Sequence, residues 1–230
     1  MLTAAQLAEW EQSVTRGTES AARGQHTEAI THFQNALHLD DHFAELHFRL
    51  ARSLEGIGRL DQAQTHYGLA RDWDALQFRA DHRLNQIIRQ VATNFAAQST
   101  TFVDSAAAIA KSPIAGNGIP GENIFHEHVH FTFDGDYQLA KSLLPEVIIT
   151  LKLEKPVGEI PTRQDCASTL AYTDVDDMNV RTAMALQTSK PPFIDQLEHS
   201  ARQSALDQQN KERLAPHHLA GLRPRRRHLS

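Results

Sequence analysis

Apolar side chains along residues 81–95 recur with the spacing of one face of an α-helix. At the start of the chain, Thr3 followed by Gln6 matches a capping box, in which a hydroxyl and an amide satisfy the backbone N–H groups that begin a helix. Both segments are therefore predicted to be helical. The apolar face of the later helix consists of Leu84, Ile87, Ile88 and Val91.

Between these segments, a pattern of small and aromatic residues repeats after about 34 positions. Glycine allows a tight turn between paired helices, and alanine lets the helices approach closely beside an aromatic ring. The period and order resemble the tetratricopeptide repeat, in units of about 10–43 and 44–77, and imply two helical hairpins. Ser13 departs from that repeat where a large residue is usual, and Asp41 where proline is usual. The matched pairs are Gly24 and Gly58, His26 and Leu60, Ala29 and Ala63, Phe33 and Tyr67, Ala36 and Ala70, and Leu37 and Arg71.

Two repeats need neighbours, because a stack of about three is normally required for stability. We expect the amphipathic helix of residues 81–95 to cover one end. Thr100–Val103 is predicted as a short strand, and Asp104 or Ser105 as the cap of a short helix. The later predicted elements are a Gly/Pro loop over Ser112–Gly121, helices over Asp134–Leu151, Asp165–Leu186 and Pro191–Gln209, and a disordered basic tail over Gly221–Ser230 with Arg223 and Arg225–Arg227.

Histidine and acidic residues cluster just before the helix predicted at Asp134. Glu127, His130, Gly135 and Tyr137 follow one another much as in the last motif of the SGNH (GDSL-like) hydrolases, which reads Asp-x-x-His-Pro-Asn, then Gly, an aromatic residue and a helix. More narrowly, residues 20–205 resemble bacterial tetratricopeptide proteins in which an SGNH-like hydrolase domain adjoins the repeats. The short strand, helix and glycine loop before Glu127 resemble the end of that α/β domain.

This resemblance implies that His130 is a general base toward a serine hydroxyl and that Glu127 orients the imidazole through its other ring nitrogen. Glu127 is one methylene longer than the usual aspartate. The Gly-Asp-Ser motif of the nucleophile is absent, and so are the motifs that form the oxyanion hole. Ser105 is interpreted as a helix cap. The chain is therefore interpreted as the C-terminal part of an ester hydrolase or acyltransferase, inactive alone, with the missing N-terminal half as a partner.

Metal binding is an alternative use of the same histidines. If residues 126–130 are extended, His126, His128 and His130 share one face, as zinc ligands would. No established spacing such as His-Glu-x-x-His is present, and no glycine-rich phosphate motif follows a strand. We therefore predict no metal ligands and no cofactor.

Partner binding without catalysis is the third interpretation. Tetratricopeptide arrays present a concave helical surface to peptides or proteins, and the candidate groove residues on the first helices are Arg16, Ser20, His47 and Arg52. A net charge of −5 argues against nucleic acid as a partner. No signal peptide and no run of about 18 apolar residues is recognisable, so the compartment is unknown and cytoplasmic by default. Cys166 is the one cysteine, which excludes an internal disulfide.

The predicted fold is mainly α, with tetratricopeptide hairpins, a small α/β remnant of an SGNH-like domain and C-terminal helices. The predicted boundaries are 1–80 for the repeats, 81–155 for the SGNH-like segment, 162–210 for the C-terminal helices and 211–230 for the tail. An apolar patch near residues 100–130 is expected to be poorly covered, because the sheet that would pair with the strand is missing.

Overall fold

Four helices pair as two hairpins at the start of the chain: α1 (Ala4–Ala22) with α2 (His26–Leu37), and α3 (Ala44–Gly56) with α4 (Leu60–Asp72). The computed structural model describes residues 2–96, 101–154 and 159–213. The Thr3 side chain caps α1 in a capping box with Gln6, as predicted. The tetratricopeptide-type pairing of the helices also agrees with the prediction.

The core of these hairpins consists of residues that lie on the facing sides of α2, α3 and α4. Its fully buried large side chains include Phe33, Leu46, Leu50 and Leu54. Gly24 and Gly58 link the helices of each pair with φ angles of 74° and 75°, the left-handed region that favours glycine. These turns set the antiparallel packing of each pair.

The end of the second hairpin is covered by a loop rather than by the expected helix. Ile119 packs against the repeat core, and the Gln64 side chain of α4 donates a hydrogen bond to the Asn117 carbonyl at 2.9 Å. Helix α5 (His82–Phe95) forms as predicted, with Asp81 as its cap, but none of its residues is buried. The expectation that α5 covers the repeats was therefore wrong, because the Gly/Pro loop occupies that place.

The segment after α5 is helical, without the predicted strand. Residues 101–103 have no strand structure, and Thr100 lies outside the described residues. Helix α6 (Ser105–Ala110) is capped by the Asp104 carboxylate, and helix α7 (Phe133–Thr150) by the Thr132 hydroxyl. The part of the chain that the structure describes contains a single antiparallel bridge here, between Phe125 and Phe131, so the α/β remnant is not supported.

Residues 159–213 belong to a second unit with three helices: α8 (Arg163–Thr169), α9 (Asp174–Thr188) and α10 (His199–Arg213). The single helix predicted over Asp165–Leu186 is interrupted at Ala171, which has a φ of 54°. The last helix begins at His199 instead of Pro191. Pro191 precedes Pro192, which disfavours the helical conformation at Pro191, and Glu198 directly before the helix has a φ of 59°. The predicted basic tail lies outside the described residues.

The helices of the described ranges do not include one that is both long enough and apolar enough to cross a membrane.

Candidate functional site

The two repeats are joined on their open side by Arg49. Its guanidinium binds Glu45 one turn earlier in α3, with nitrogen–oxygen distances of 2.8 and 2.6 Å. The third nitrogen, Nη1, donates a hydrogen bond to the Thr18 hydroxyl of α1 at 3.1 Å. Arg49 therefore fixes the distance between the first helices of the two repeats on a surface that is open to solvent.

An aromatic and a cationic side chain extend this surface along α3. Phe48 is 38% exposed and its ring meets the edge of Tyr67 at a centroid distance of 5.6 Å. The Tyr67 hydroxyl donates to Glu55 at 2.7 Å, and burial together with this bond raises the pKa of Tyr67. Arg52 is exposed, and its charge acts in the opposite direction on the Tyr67 pKa. We call Glu45, Phe48, Arg49 and Arg52 the α3 face.

The four residues predicted for the groove occupy different environments. Arg52 lies on the α3 face, whereas Ser20 is 1% and His47 3% exposed, so both are interior residues. Arg16 is exposed, but it precedes Thr18 by two positions and so points about 200° around the helix from the side that meets Arg49. The repeat period makes Thr18 the equivalent of Arg52. It would therefore have identified Thr18, instead of Arg16, as the α1 residue on the same side as the α3 face.

His47 joins the loop before α3 to helix α4. Its Nε2 is 2.8 Å from the Asp41 carbonyl oxygen, which can only accept, so Nε2 carries a proton. Its Nδ1 is 3.0 Å from Nδ1 of His66, and the two rings are stacked. Burial lowers the pKa of His66, and repulsion from His47 lowers it further. The buried histidine is thus a structural link inside the second repeat.

The loop before α7 is organised by the Glu127 carboxylate. It accepts hydrogen bonds from the backbone N–H groups of His128, Val129 and His130, and it contacts Nδ1 of both His128 and His130. Burial favours the neutral acid, but these bonds outweigh it and hold the pKa of Glu127 below its usual value. The carboxylate therefore closes a tight turn and holds the His130 ring at the same time.

The base of this turn is held by residues around the start of α7. Phe125 stacks on Phe131 at a centroid distance of 4.8 Å, and the His126 N–H donates to the His130 carbonyl at 2.8 Å. Gly135 is buried there, and a side chain in its place would collide with the Ile124 carbonyl. The glycine of the hydrolase-like motif thus has a packing reason, independent of any chemistry.

Glu127 and His130 lie in contact, as the hydrolase resemblance expects, but the rest of a catalytic site is not assembled by the described contacts. Ser105 is the first residue of α6, directly after Asp104, so the cap of this helix is Asp104 and not Ser105, as Ser105 was interpreted. Arg89 donates to Asp104 at 2.8 Å and lowers the pKa of that carboxyl together with the Ala107 N–H. These bonds hold the helix start in place.

The arrangement required for metal binding by residues 126–130 does not form. The segment is a turn rather than an extended strand, and Nδ1 of His128 and of His130 both face Glu127. Elsewhere, Asp40, Asp41 and His42 bring three potential ligand atoms within 4.8 Å of one another. The His42 ring is 2.6 Å from the Asp41 carboxylate, and this pairing accounts for the exposed cluster without an ion.

A cleft of about 430 Å³ opens beside the start of α5. Phe78, Leu84 and Ile87 form its apolar part, and Arg79 and Arg83 contribute charge. Burial lowers the pKa of Arg79, while nearby Asp74 and Glu127 act in the opposite direction. The cleft is continuous with the exposed apolar side of α5.

In a comparison with known protein families, residues 20–86 match the family model of the tetratricopeptide repeat. This range covers α2, α3 and α4, including both residues of the His47–His66 pair and the α3 face. The comparisons with curated proteins and with solved structures found no match. Nothing in them indicates an SGNH hydrolase domain. The match therefore supports the tetratricopeptide repeat over residues 20–86.

Proposed function

We propose that the chain is a non-catalytic scaffold that binds a peptide or protein segment on the α3 face. The observation that carries the proposal is the combination of Phe48, partly exposed, with the exposed cation Arg52 one turn later. Tetratricopeptide repeats generally act as protein-interaction modules, since their stacked helices form an extended surface. A ligand with an apolar side chain and a carboxylate would match this pair of residues.

The charges around the α3 face favour one orientation of such a ligand. Arg49 is already paired with Glu45 and Thr18, so it supports the surface. Arg52 is exposed, and a carboxylate that meets its guanidinium would form a charge-assisted hydrogen bond. Phe48 would then bind an aliphatic or aromatic side chain about one helical turn away.

The proposal is tested by selecting peptides that bind the full chain from a displayed random library. Binding of a selected peptide is then measured by fluorescence anisotropy with wild type, Arg52→Glu and Phe48→Ala. We expect the selected peptides to contain a carboxylate. Arg52→Glu should lose about tenfold or more in affinity, since removing one partner of a charged hydrogen bond costs about 1.5–3 kcal/mol. Phe48→Ala should lose about as much, because fully burying a phenylalanine side chain is worth about 1.5–3 kcal/mol.

Arg16→Glu provides the matched control, because it makes the same charge change at an exposed position on another side of α1. The control should bind with nearly the wild-type affinity. Selected peptides that bind Arg52→Glu as tightly as wild type would contradict the assignment of the α3 face.

A second candidate function is a remnant of ester hydrolysis at His130, favoured by the Glu127 carboxylate on its Nδ1. Glu127 would orient the ring, and the nucleophile would come from another polypeptide. We expect no turnover of p-nitrophenyl acetate above buffer by the chain alone. Turnover that disappears in His130→Ala but persists in His128→Ala would support a catalytic imidazole and would contradict the scaffold as the whole function.

A further inference from the structure

Helix α5 exposes its apolar side, whereas an ordinary surface helix packs that side against the core. The apolar residues Leu84, Ile87, Ile88, Val91 and Phe95 are each 44–49% exposed. Each lies three or four positions from another member, so they form one continuous stripe along the helix. A stripe of this kind normally packs against another element.

The polar side explains why α5 has this orientation. Arg89, on the side away from the stripe, binds the Asp104 cap of α6 at 2.8 Å. The His82 N–H at the start of α5 donates to the Asp72 carboxylate at 2.9 Å, at the end of α4. The carboxylates of Asp104 and Asp72, on neighbouring elements, thus bind α5 through groups outside the stripe. The stripe is therefore kept outward by specific bonds.

The flanks of the stripe favour pairing with an identical helix. They carry the neutral side chains of Asn85, Gln90, Ala92 and Asn94, with Arg83 as the charged exception. In an antiparallel pair the two copies of Arg83 lie at opposite ends. Each then faces the carbonyl end of the partner helix, where a cation is favourable. Self-pairing therefore meets no like charge across the seam, whereas a strongly charged partner helix would find few groups of opposite charge.

The area of the stripe is consistent with a reversible dimer. Five side chains that are nearly half exposed offer on the order of 400 Å² per copy, and a stable interface buries about 800 Å² per partner. Leu76 and Phe78, both exposed just before α5, extend the apolar surface toward the cleft. The surface as a whole approaches the lower limit of a specific interface.

We infer that α5 is a self-association surface, on which a second copy of this chain packs its own α5 in antiparallel orientation. The interface has two-fold symmetry, so the same stripe is buried in both copies. It lies on a different surface from the α3 face, and it does not depend on the proposed peptide binding.

The test is sedimentation velocity of the full chain from about 1 to about 100 µM, a range that brackets a weak specific interface. Wild type is expected to change from monomer to dimer within this range. Ile88→Glu is expected to remain monomeric with an unchanged far-UV circular dichroism spectrum, because a carboxylate would be buried in the seam. Gln86→Glu adds the same charge on the opposite side of α5 and should dimerise like wild type.

Orientation is tested by disulfide formation in a Cys166→Ser background. A mixture of Arg83→Cys and Asn94→Cys chains should cross-link, whereas Arg83→Cys alone should not. A protein that stays monomeric at every concentration would overturn the inference and would indicate that a different protein binds the stripe. A dimer that persists in Ile88→Glu would also overturn it. Cross-linking of Arg83→Cys with itself would overturn the antiparallel arrangement. Arg52→Glu should dimerise normally, which separates this result from the peptide-binding test.

Discussion

Gly17 and Phe33 illustrate how one small residue sets the distance between two helices. A Cβ atom at Gly17 would lie 2.5 Å from Cε1 of Phe33, a ring that is completely buried. The equivalent position in the second repeat is Ala51, which is also fully buried. The first repeat thus needs glycine where the second has alanine, because the Phe33 ring occupies the space that a methyl group at residue 17 would need.

Gly17→Ala is expected to destabilise the protein by about 1–3 kcal/mol, because the added methyl group overpacks the contact with Phe33. Gly68→Ala is the matched control: no atom lies within 4 Å of a Cβ at this position in α4. The control should gain about 0.5–1 kcal/mol from the higher helix propensity of alanine. Urea unfolding of both variants measures the difference, and a Gly17→Ala protein as stable as wild type would contradict the close contact.

The His47–His66 pair predicts a loss of stability in acid. The folded pKa of His66 is below 6.5, so the unfolded chain binds a proton more readily in the window between that lowered value and 6.5. The stabilising contribution is complete above pH 6.5 and is lost as the pH falls through the window. We expect the melting temperature of wild type to fall more steeply between neutral and mildly acidic pH than that of His66→Ala. His82→Ala, an exposed control in α5, should keep the wild-type slope.

At the scale of elements, the loop of residues 116–119 has the role that was expected of α5. Ile119 reaches the repeat core, and Asn117 adopts a φ of 55° that turns its carbonyl toward Gln64. The loop is short and needs glycine at Gly118, where φ is 77°. A compact turn with one apolar side chain is therefore sufficient to close the end of the hairpins.

Ile119→Ala is expected to cost about 1–2 kcal/mol, less than the about 2–5 kcal/mol of a completely buried isoleucine, since Ile119 is only partly covered. Chemical unfolding gives this difference. Ile149→Ala in α7 is the control, because Ile149 is 64% exposed, and its effect should stay within about 0.5 kcal/mol. Equal effects for the two variants would show that Ile119 does not cover the core.

The sequence predicts the existence of these elements better than their partners. The repeat period and the cap at Thr3 depend on nearby residues, so they are visible in the sequence, which also limits the cap of α6 to Asp104 or Ser105. The apolar spacing of α5 also predicts a helix, but it contains no information about Arg89 and Asp104, whose bond turns the apolar side outward. For Glu127, the resemblance to the hydrolase motif implies an orienting acid beside His130. Its bonds to three backbone N–H groups depend on a turn that the sequence does not reveal.

At the scale of the whole molecule, burial is concentrated in the repeats. Most of the completely buried large side chains belong to α2 and α3, and in the described residues of the second unit the buried hydrophobic residue is Ala167. Helices α8 and α9 begin with capping boxes at Thr162 and Thr173, which stabilise their first turns. Local bonds therefore support the second unit more than a core does.

Hydrogen exchange is expected to reflect this difference. Amides of α2 and α3 should exchange slowly, near the rate set by global unfolding, whereas those of α8, α9 and α10 should exchange through local opening. Mass spectrometry of peptides from the full chain measures both classes in one experiment. Exchange in α9 as slow as that in α3 would contradict the expectation. It would indicate that α9 is stabilised by more than the buried residues of the second unit.

The position of Ile119 has a consequence for the growth of the array. An additional helical pair inserted after α4 would have to occupy the surface that Ile119 and the Asn117–Gln64 bond already use. Elongation by duplication, the common route by which solenoids lengthen, would expose this isoleucine and break the loop contact at the same time. A longer array would therefore require removal of the loop along with the insertion.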